Sequence, residues 1–532
     1  MRSQVEENEC VQPDRRLRAI YVGIWFTVLL IAAFLRFASL SEQSLWSDEI
    51  QTIEIARGSL SEVALTAAQT NIQPPLFFWL VRAMAAFGSN EFNIRLPSAV
   101  AGLLTVPLVW AIATQMTSRL TAIIAMLAFA ISPFHIWYSQ EARAYALLLF
   151  FLTASVFCLL TWWTGVKQGR LGYLIFTVLA LYTHILALPF LAIHLLMAYF
   201  LSKHTSCSSP DSSIALTFYR FIQTLAVALL FLIPGLVFLF RHSYVLYLVP
   251  PFSLVLEGPA RVSMSIIAAG VLYSLYALVA GFSLGPSSRE LHTVTGVGNL
   301  AVYVTPQLVI FLIVLGIVLL FGIVVAYRDR MIRIMVLGWL LLLIVLTASA
   351  AFWAEAVLYP RFLIAAIPPV SLLLGLGIAS QHTLSRKLLA LIAFMMATAL
   401  PLQNALSDPR YAKEDMRSAA RYLSTVTAER DIVIVSTGYM TSVLAHYCDR
   451  SHACKADLIP YPADYGLTNA QRISEDVPKL IAGRARVWLL LSRTFHSDPQ
   501  GLLIEYFRSN HLIDLRGSWS GVTLYEVKQR SD

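Results

Sequence analysis

Apolar runs of roughly 17–22 residues, each long enough to cross a lipid bilayer as a helix, recur along the first four hundred positions of this chain. Hydrocarbon offers the backbone no hydrogen-bond partners, so a chain patterned this way must fold as a helical bundle across a membrane. The composition agrees: 58% of the 532 residues are hydrophobic and only 13% are charged, where a soluble chain carries about a quarter charged residues. The net charge of +8 then marks basic cytoplasmic loops, not a nucleic-acid surface. No cleavable signal peptide is expected, because the first run follows Arg15, Arg16 and Arg18 and is long enough to remain an anchor.

Keeping Lys and Arg on the cytoplasmic side predicts an α-helical polytopic fold of about 11 spans with a cytoplasmic N-terminus. The spans fall at about 20–40, 96–115, 120–133, 144–164, 172–182, 185–201, 221–240, 305–326, 334–352, 362–380 and 388–404. Two long external loops result, 41–95 and 241–298. The first holds amphipathic pieces at 48–57 and 60–70, and an apolar run at 75–87 that Arg82 interrupts; it is read as an interfacial or re-entrant helix. In the second, the stretch 262–284 is read as a surface helix. A further span there would turn Arg328, Arg330, Arg333, Arg386 and Lys387 outward.

Residues 1–404 therefore form a membrane domain, and 405–532 change to the composition of a small extracytoplasmic α/β domain. Strands are expected at 431–435, 487–491 and 521–527, and helices at 413–423 and 502–510. In an oxidising compartment Cys448 and Cys454 are expected to form a disulfide; the alternative is two small buried apolar side chains.

On this topology the unusual polar residues gather on the outer side: Asp48, Glu49, Arg57, Arg95, Glu141, Arg143, Tyr145, His184, Arg241, His242 and Arg361. External arginines run against the positive-inside bias, and binding an anionic group explains them, since guanidinium forks match phosphate oxygens. A carboxylate among them can deprotonate a hydroxyl while the arginines hold a phosphate leaving group. Plainer readings stay open. Asp48 can be a helix N-cap, where acids suit the helix dipole, Glu141 and Arg143 can be a structural ion pair, and Tyr145, Arg241 and Arg361 can be interface anchors. His184 is a structural histidine or a metal ligand; no metal motif of fixed spacing or nucleotide-binding loop is present.

Six motifs follow one another in a telling order: the acidic pair, Gln73-Pro74-Pro75-Leu76-Phe77-Phe78-Trp79, Asn90-Glu91-Phe92-Asn93-Ile94-Arg95-Leu96-Pro97-Ser98, Ser139-Gln140-Glu141-Ala142-Arg143-Ala144-Tyr145, Tyr182-Thr183-His184 and Tyr359-Pro360-Arg361-Phe362. Over about residues 20–380 the chain resembles the GT-C glycosyltransferases related to protein O-mannosyltransferases and to the lipid A aminoarabinose transferase. The resemblance implies inverting transfer of a sugar from a polyprenyl-phosphate donor to an acceptor hydroxyl on protein, lipid or glycan, in a bacterial inner membrane. It implies Asp48 as general base with Glu49 beside it orienting the site. Glu141, Arg143 and Tyr145 would form the sugar and phosphate pocket, with Arg361 and Arg241 facing the donor phosphate. Some members use a divalent metal ion, for which His184 is the candidate ligand. The aminoarabinose branch carries a Glu-Lys pair where Ile72-Gln73 stands here, which shifts the expected donor to a neutral hexose such as mannose. The competing class is a transporter or flippase of lipid-linked sugars; it would call for inverted repeats and midplane charges, and the sequence shows neither.

Overall fold

The computed structural model describes residues 15–71, 73–206, 212–242, 264–293, 302–353, 358–451, 454–464 and 466–529. Ile72 and much of the expected second external loop, 243–263 and 294–301, lie outside the described residues.

The first half is a succession of helices: α1 (Arg15–Phe37), α2 (Ser47–Ile55), α3 (Leu60–Asn71), α4 (Leu76–Ala85), α5 (Glu91–Met116), α6 (Arg119–Ala130), α7 (Pro133–Ser139), α8 (Tyr145–Trp163), α9 (Gln168–Leu181), α10 (Ala187–Ser206) and α11 (Ser212–His242). The three short helices α2 to α4 fall on the two amphipathic pieces and the apolar run of the loop 41–95. Among the described residues, eight helices are long and apolar enough to cross a membrane: α1, α5, α8, α11, Pro306–Arg328, Arg330–Trp353, Pro360–Ala379 and Leu384–Ser407. The pair α6–α7, bent by 57°, brings the number to nine.

By length and apolarity the described residues thus give eight or nine spans and not eleven, for local reasons. Ser132 caps α7 by accepting the His135 N–H at 3.3 Å, and Pro133 at its first turn cannot continue the ladder of α6. α9 has 14 residues, short of the ~20 that a straight span needs. It ends at a turn where His184 Nδ1 accepts the Leu186 N–H at 3.1 Å. The 262–284 stretch forms a 17-residue apolar helix, Met264–Ala280.

Small residues set the tightest contacts. Helices Pro306–Arg328 and Pro360–Ala379 meet at Gly322 and Gly377, where a Cβ would run into the backbone carbonyls of Leu373 and Val318. Pro360–Ala379 is almost entirely enclosed, which fixes Arg361 at its N-terminal end.

Beyond Ser407 the chain builds a five-stranded sheet from β1 (Ile432–Ser436), β2 (Asp457–Tyr461), β3 (Val487–Ser492), β4 (His511–Trp519) and β5 (Val522–Gln529). The order is β2-β1-β3-β5-β4. β1 runs parallel to β2 and β3, with Val433 opposite Leu458 and Trp488; β5 pairs antiparallel with β3 and β4. One face, with Val433, Val435, Trp488 and Leu490, packs on Met416, Leu423 and Leu444 from helices Met416–Val426 and Met440–Ser451. The other, with Ile432, Ile434 and Leu489, packs on Ile473 and Phe507 from helices Ala470–Ile481 and Leu502–Asn510. Cys448 and Cys454 are bonded, their Cα atoms 5.2 Å apart.

This domain is clamped onto the loops after α1. The Tyr447 hydroxyl accepts the Leu45 N–H at 2.7 Å and donates to Glu91 Oε1 at 2.9 Å. The Arg289 guanidinium donates to the carbonyls of Pro409, Arg410 and Ala412 at 3.0–3.1 Å.

Candidate active site

Trp46 precedes the first turn of α2, and Glu49 Oε2 reaches back to accept its N–H at 3.3 Å, a reciprocal closure that starts the helix. Winding α2 from there sends the two adjacent acids in different directions. Glu49 is fully buried. Arg95 donates to both its oxygens, Nε to Oε1 at 2.7 Å and Nη2 to Oε2 at 2.8 Å. The Ala142 N–H adds 2.8 Å, and Lys413 Nζ from the C-terminal segment lies at 3.1 Å. Burial alone would raise the Glu49 pKa, but Arg95 and Lys413 outweigh it and hold the carboxyl at about 2. Lys413, enclosed against the rings of Trp46 and Trp137, has its own pKa lowered, by burial first.

Asp48 faces the other way, into a cavity of about 1010 Å³. Its side chain is 29% exposed, and among the described residues it accepts no hydrogen bond. Two guanidiniums stand beside it, Arg143 Nη2 at 3.9 Å and Arg361 Nη1 at 3.8 Å from Oδ2. Arg143 is tethered further by the Asp48 carbonyl, 3.4 Å from Nη1, and Arg361 lies over the Tyr359 ring at 4.7 Å. Glu141 lines the same cavity but is buried, and among the described residues its Oε2 has no hydrogen-bond partner. Burial pushes its carboxyl up to about 7, against the pull of Lys413 and with help from Glu49 and Asp48.

Tyr145 is buried behind this wall, its ring 5.3 Å from those of Tyr138 and His184. His184 is held neutral by burial and by Arg143 and Arg361, its pKa drawn down to about 3, and the Gln73 amide lies 3.5 Å from Nε2. No group of three or more His, Cys, Asp or Glu side chains among the described residues is placed to hold a metal ion. Arg241 is exposed at the end of α11, a helix packed on α3, α9 and α10, and does not line the cavity. Arg95, expected among the anion-binding arginines, is instead committed to Glu49.

The structure also adds residues the sequence did not single out. Lys413, Glu414, Tyr439, Ser442, Arg493 and His496 reach the cavity from the C-terminal domain, and Tyr138 and Tyr273 from the membrane domain. Lys413 sits 364 positions from Glu49, in a stretch whose composition is that of any soluble domain, so no local signal marks it.

Residues 72–238 match the family model described as dolichyl-phosphate-mannose-protein mannosyltransferase. No curated protein shows a significant sequence match to the chain. Among solved structures the chain is similar to ArnT from Cupriavidus metallidurans in the apo state, with TM-score 0.55 and 14% identity over 96% of this chain and 98% of that one. The same protein bound to undecaprenyl phosphate gives TM-score 0.55 and 13% identity over 96% and 98%. The archaeal oligosaccharyltransferase AglB from Archaeoglobus fulgidus gives TM-score 0.51 and 11% identity over 96% of this chain and 74% of that one. The chain has the GT-C glycosyltransferase fold over 96% of its length, and within it residues 72–238 match the mannosyltransferase family model.

Proposed function

We propose that this protein is an inverting glycosyltransferase that moves a sugar, a hexose such as mannose, from a polyprenyl-phosphate donor to an acceptor hydroxyl. The reaction takes place at the extracytoplasmic face of a bacterial inner membrane, with the N-terminus in the cytoplasm and the C-terminal domain outside. One observation carries the reading: Asp48 alone of the acidic pair faces the cavity, with the Arg143 and Arg361 guanidiniums within 4 Å of its carboxylate. The ArnT structure with undecaprenyl phosphate and the mannosyltransferase match support the donor class.

In the proposed reaction the acceptor oxygen attacks the anomeric carbon as Asp48 takes its proton. The anomeric carbon–oxygen bond breaks, and the polyprenyl phosphate leaves with both electrons, its charge met by Arg361 and Arg143. Glu141, neutral below about pH 7, donates a hydrogen bond to a sugar hydroxyl. Glu49 touches neither substrate; it positions the turn that carries Asp48. The test is transfer from a polyprenyl-phosphate hexose by purified protein. Asp48→Asn is expected to lower the rate by about 10²–10⁴-fold, the usual worth of a general base; activity within a few-fold of the unaltered protein would overturn the assignment.

A further inference from the structure

The C-terminal sheet has a topological switch point. The chain leaves β1 for β2 on one side, then returns past β1 to β3 on the other, so the loops that follow β1 and β3 diverge at the carboxyl end of the sheet. Open α/β sheets bind their ligands in the crevice between such loops. Here the two loops are fastened to each other: Thr437 Oγ1 donates to the Arg493 carbonyl at 3.0 Å and lies 2.7 Å from Ser497 Oγ. Thr437 and Arg493 both hold left-handed backbone, φ 65° and 51°, which residues with a Cβ adopt only where the surroundings fix it.

This crevice opens onto the Asp48 cavity. Tyr439, Ser442, Arg493 and His496 all line it, and Arg493 Nη1 comes within 3.4 Å of the hydroxyl of Ser47, the residue before Asp48. The donor has its own place, since its lipid must lie in the membrane and its phosphate by Arg361, at the head of a buried membrane helix. The wall contributed by the extramembrane domain is left for the acceptor, whose hydroxyl has to reach Asp48.

The chemistry of that wall narrows the acceptor. Arg493 is paired with Glu414 at 3.3 Å and lies over the rings of Trp46 at 5.6 Å and Phe495 at 5.8 Å. It therefore offers hydrogen-bond donors beside acceptors without net charge. Next to it are a phenol, a hydroxyl, an imidazole and flat ring faces, a set that suits a neutral ligand dense in hydroxyls. These side chains come from loops and a helix turn, and present no strand edge on which an extended peptide could pair. We propose that Tyr439, Ser442, Arg493 and His496 form the acceptor subsite, and that it takes a carbohydrate acceptor; this rests on the glycosyl-transfer reading above.

The test uses the full chain in lipid nanodiscs, applied to an array of bacterial envelope oligosaccharides and Ser/Thr-rich peptides, and assayed for transfer from a polyprenyl-phosphate hexose. The unaltered protein is expected to bind oligosaccharides. Ser442→Trp fills the crevice from an exposed position, and His496→Ala removes one partner. Each should raise the acceptor KM about tenfold or more while leaving the donor KM within twofold. Binding of peptides in place of oligosaccharides, binding of neither, or an acceptor KM unmoved in both variants would overturn the subsite. Asp48→Asn separates the two claims. If it retains transfer while Ser442→Trp loses acceptor affinity, the base assignment falls and the subsite stands; the reverse pattern sinks the subsite alone.

Discussion

Replacing Glu49 by glutamine would strand two buried cations, Arg95 and Lys413, with nothing to neutralise them. Breaking a buried ion pair on one side costs about 3–5 kcal/mol, and all three side chains are at most 6% exposed. Glu49→Gln should therefore lower the unfolding midpoint sharply, whereas Asp48→Asn, at a partly exposed carboxylate that accepts no hydrogen bond among the described residues, should leave it nearly unchanged. Equal effects on the two midpoints would contradict the division of labour. Glu141 gives a prediction in pH. Its ordinary value is 4.5 and burial raises it to about 7. The native protein thus keeps a proton that the unfolded chain has lost, and the stability this confers is full below 4.5 and disappears as pH rises through about 7. The melting temperature should fall across that window, and Glu141→Gln, which keeps a neutral side chain throughout, should flatten the fall.

At the scale of elements, the position of Arg361 depends on how closely its helix can approach a neighbour. Gly377 lies against the Val318 carbonyl, so Gly377→Val forces helices Pro306–Arg328 and Pro360–Ala379 apart. Overpacking of this kind costs about 1–3 kcal/mol. The displaced Arg361 should raise the donor KM with the acceptor KM unmoved, a split visible in steady-state kinetics. Elements were also where the sequence was easiest to misjudge. The amphipathic stretches 48–57 and 60–70 announced α2 and α3, because hydrophobic spacing there is dictated by local packing. The break at Ser132-Pro133 and the turn at His184 shorten the helices within the apolar runs 120–133 and 172–182, a local effect that apolar length alone does not show. β2 was missed because it is a half-exposed sheet edge containing Pro460, with neither a buried run nor clean alternation.

For the whole molecule, the boundary near residue 404 separates two compositions but not two functions. Lys413 supplies one arm of the clamp on Glu49, and Arg493 stands beside Ser47, so the extramembrane domain completes the site that the membrane domain begins. A chain ending at Ser407 should lose transfer even to a small soluble acceptor; full activity in such a truncation would make the domain a mere accessory. Such contacts bridge hundreds of residues and obey no local spacing, which is why Asp48 could be nominated from sequence while Lys413, Tyr439 and Arg493 could not. Arg241, which the charge pattern singled out, lies at the end of α11 and is not among the residues that line the cavity.

The clamp on Glu49 also has a meaning in time. Its members stand at positions 49, 95 and 413, and a ribosome delivers them in that order. The carboxylate and its arginine are made before helix α6, and the lysine arrives only after helix Leu384–Ser407 has been made. Until then the turn that aims Asp48 lacks one of the two cations that neutralise Glu49.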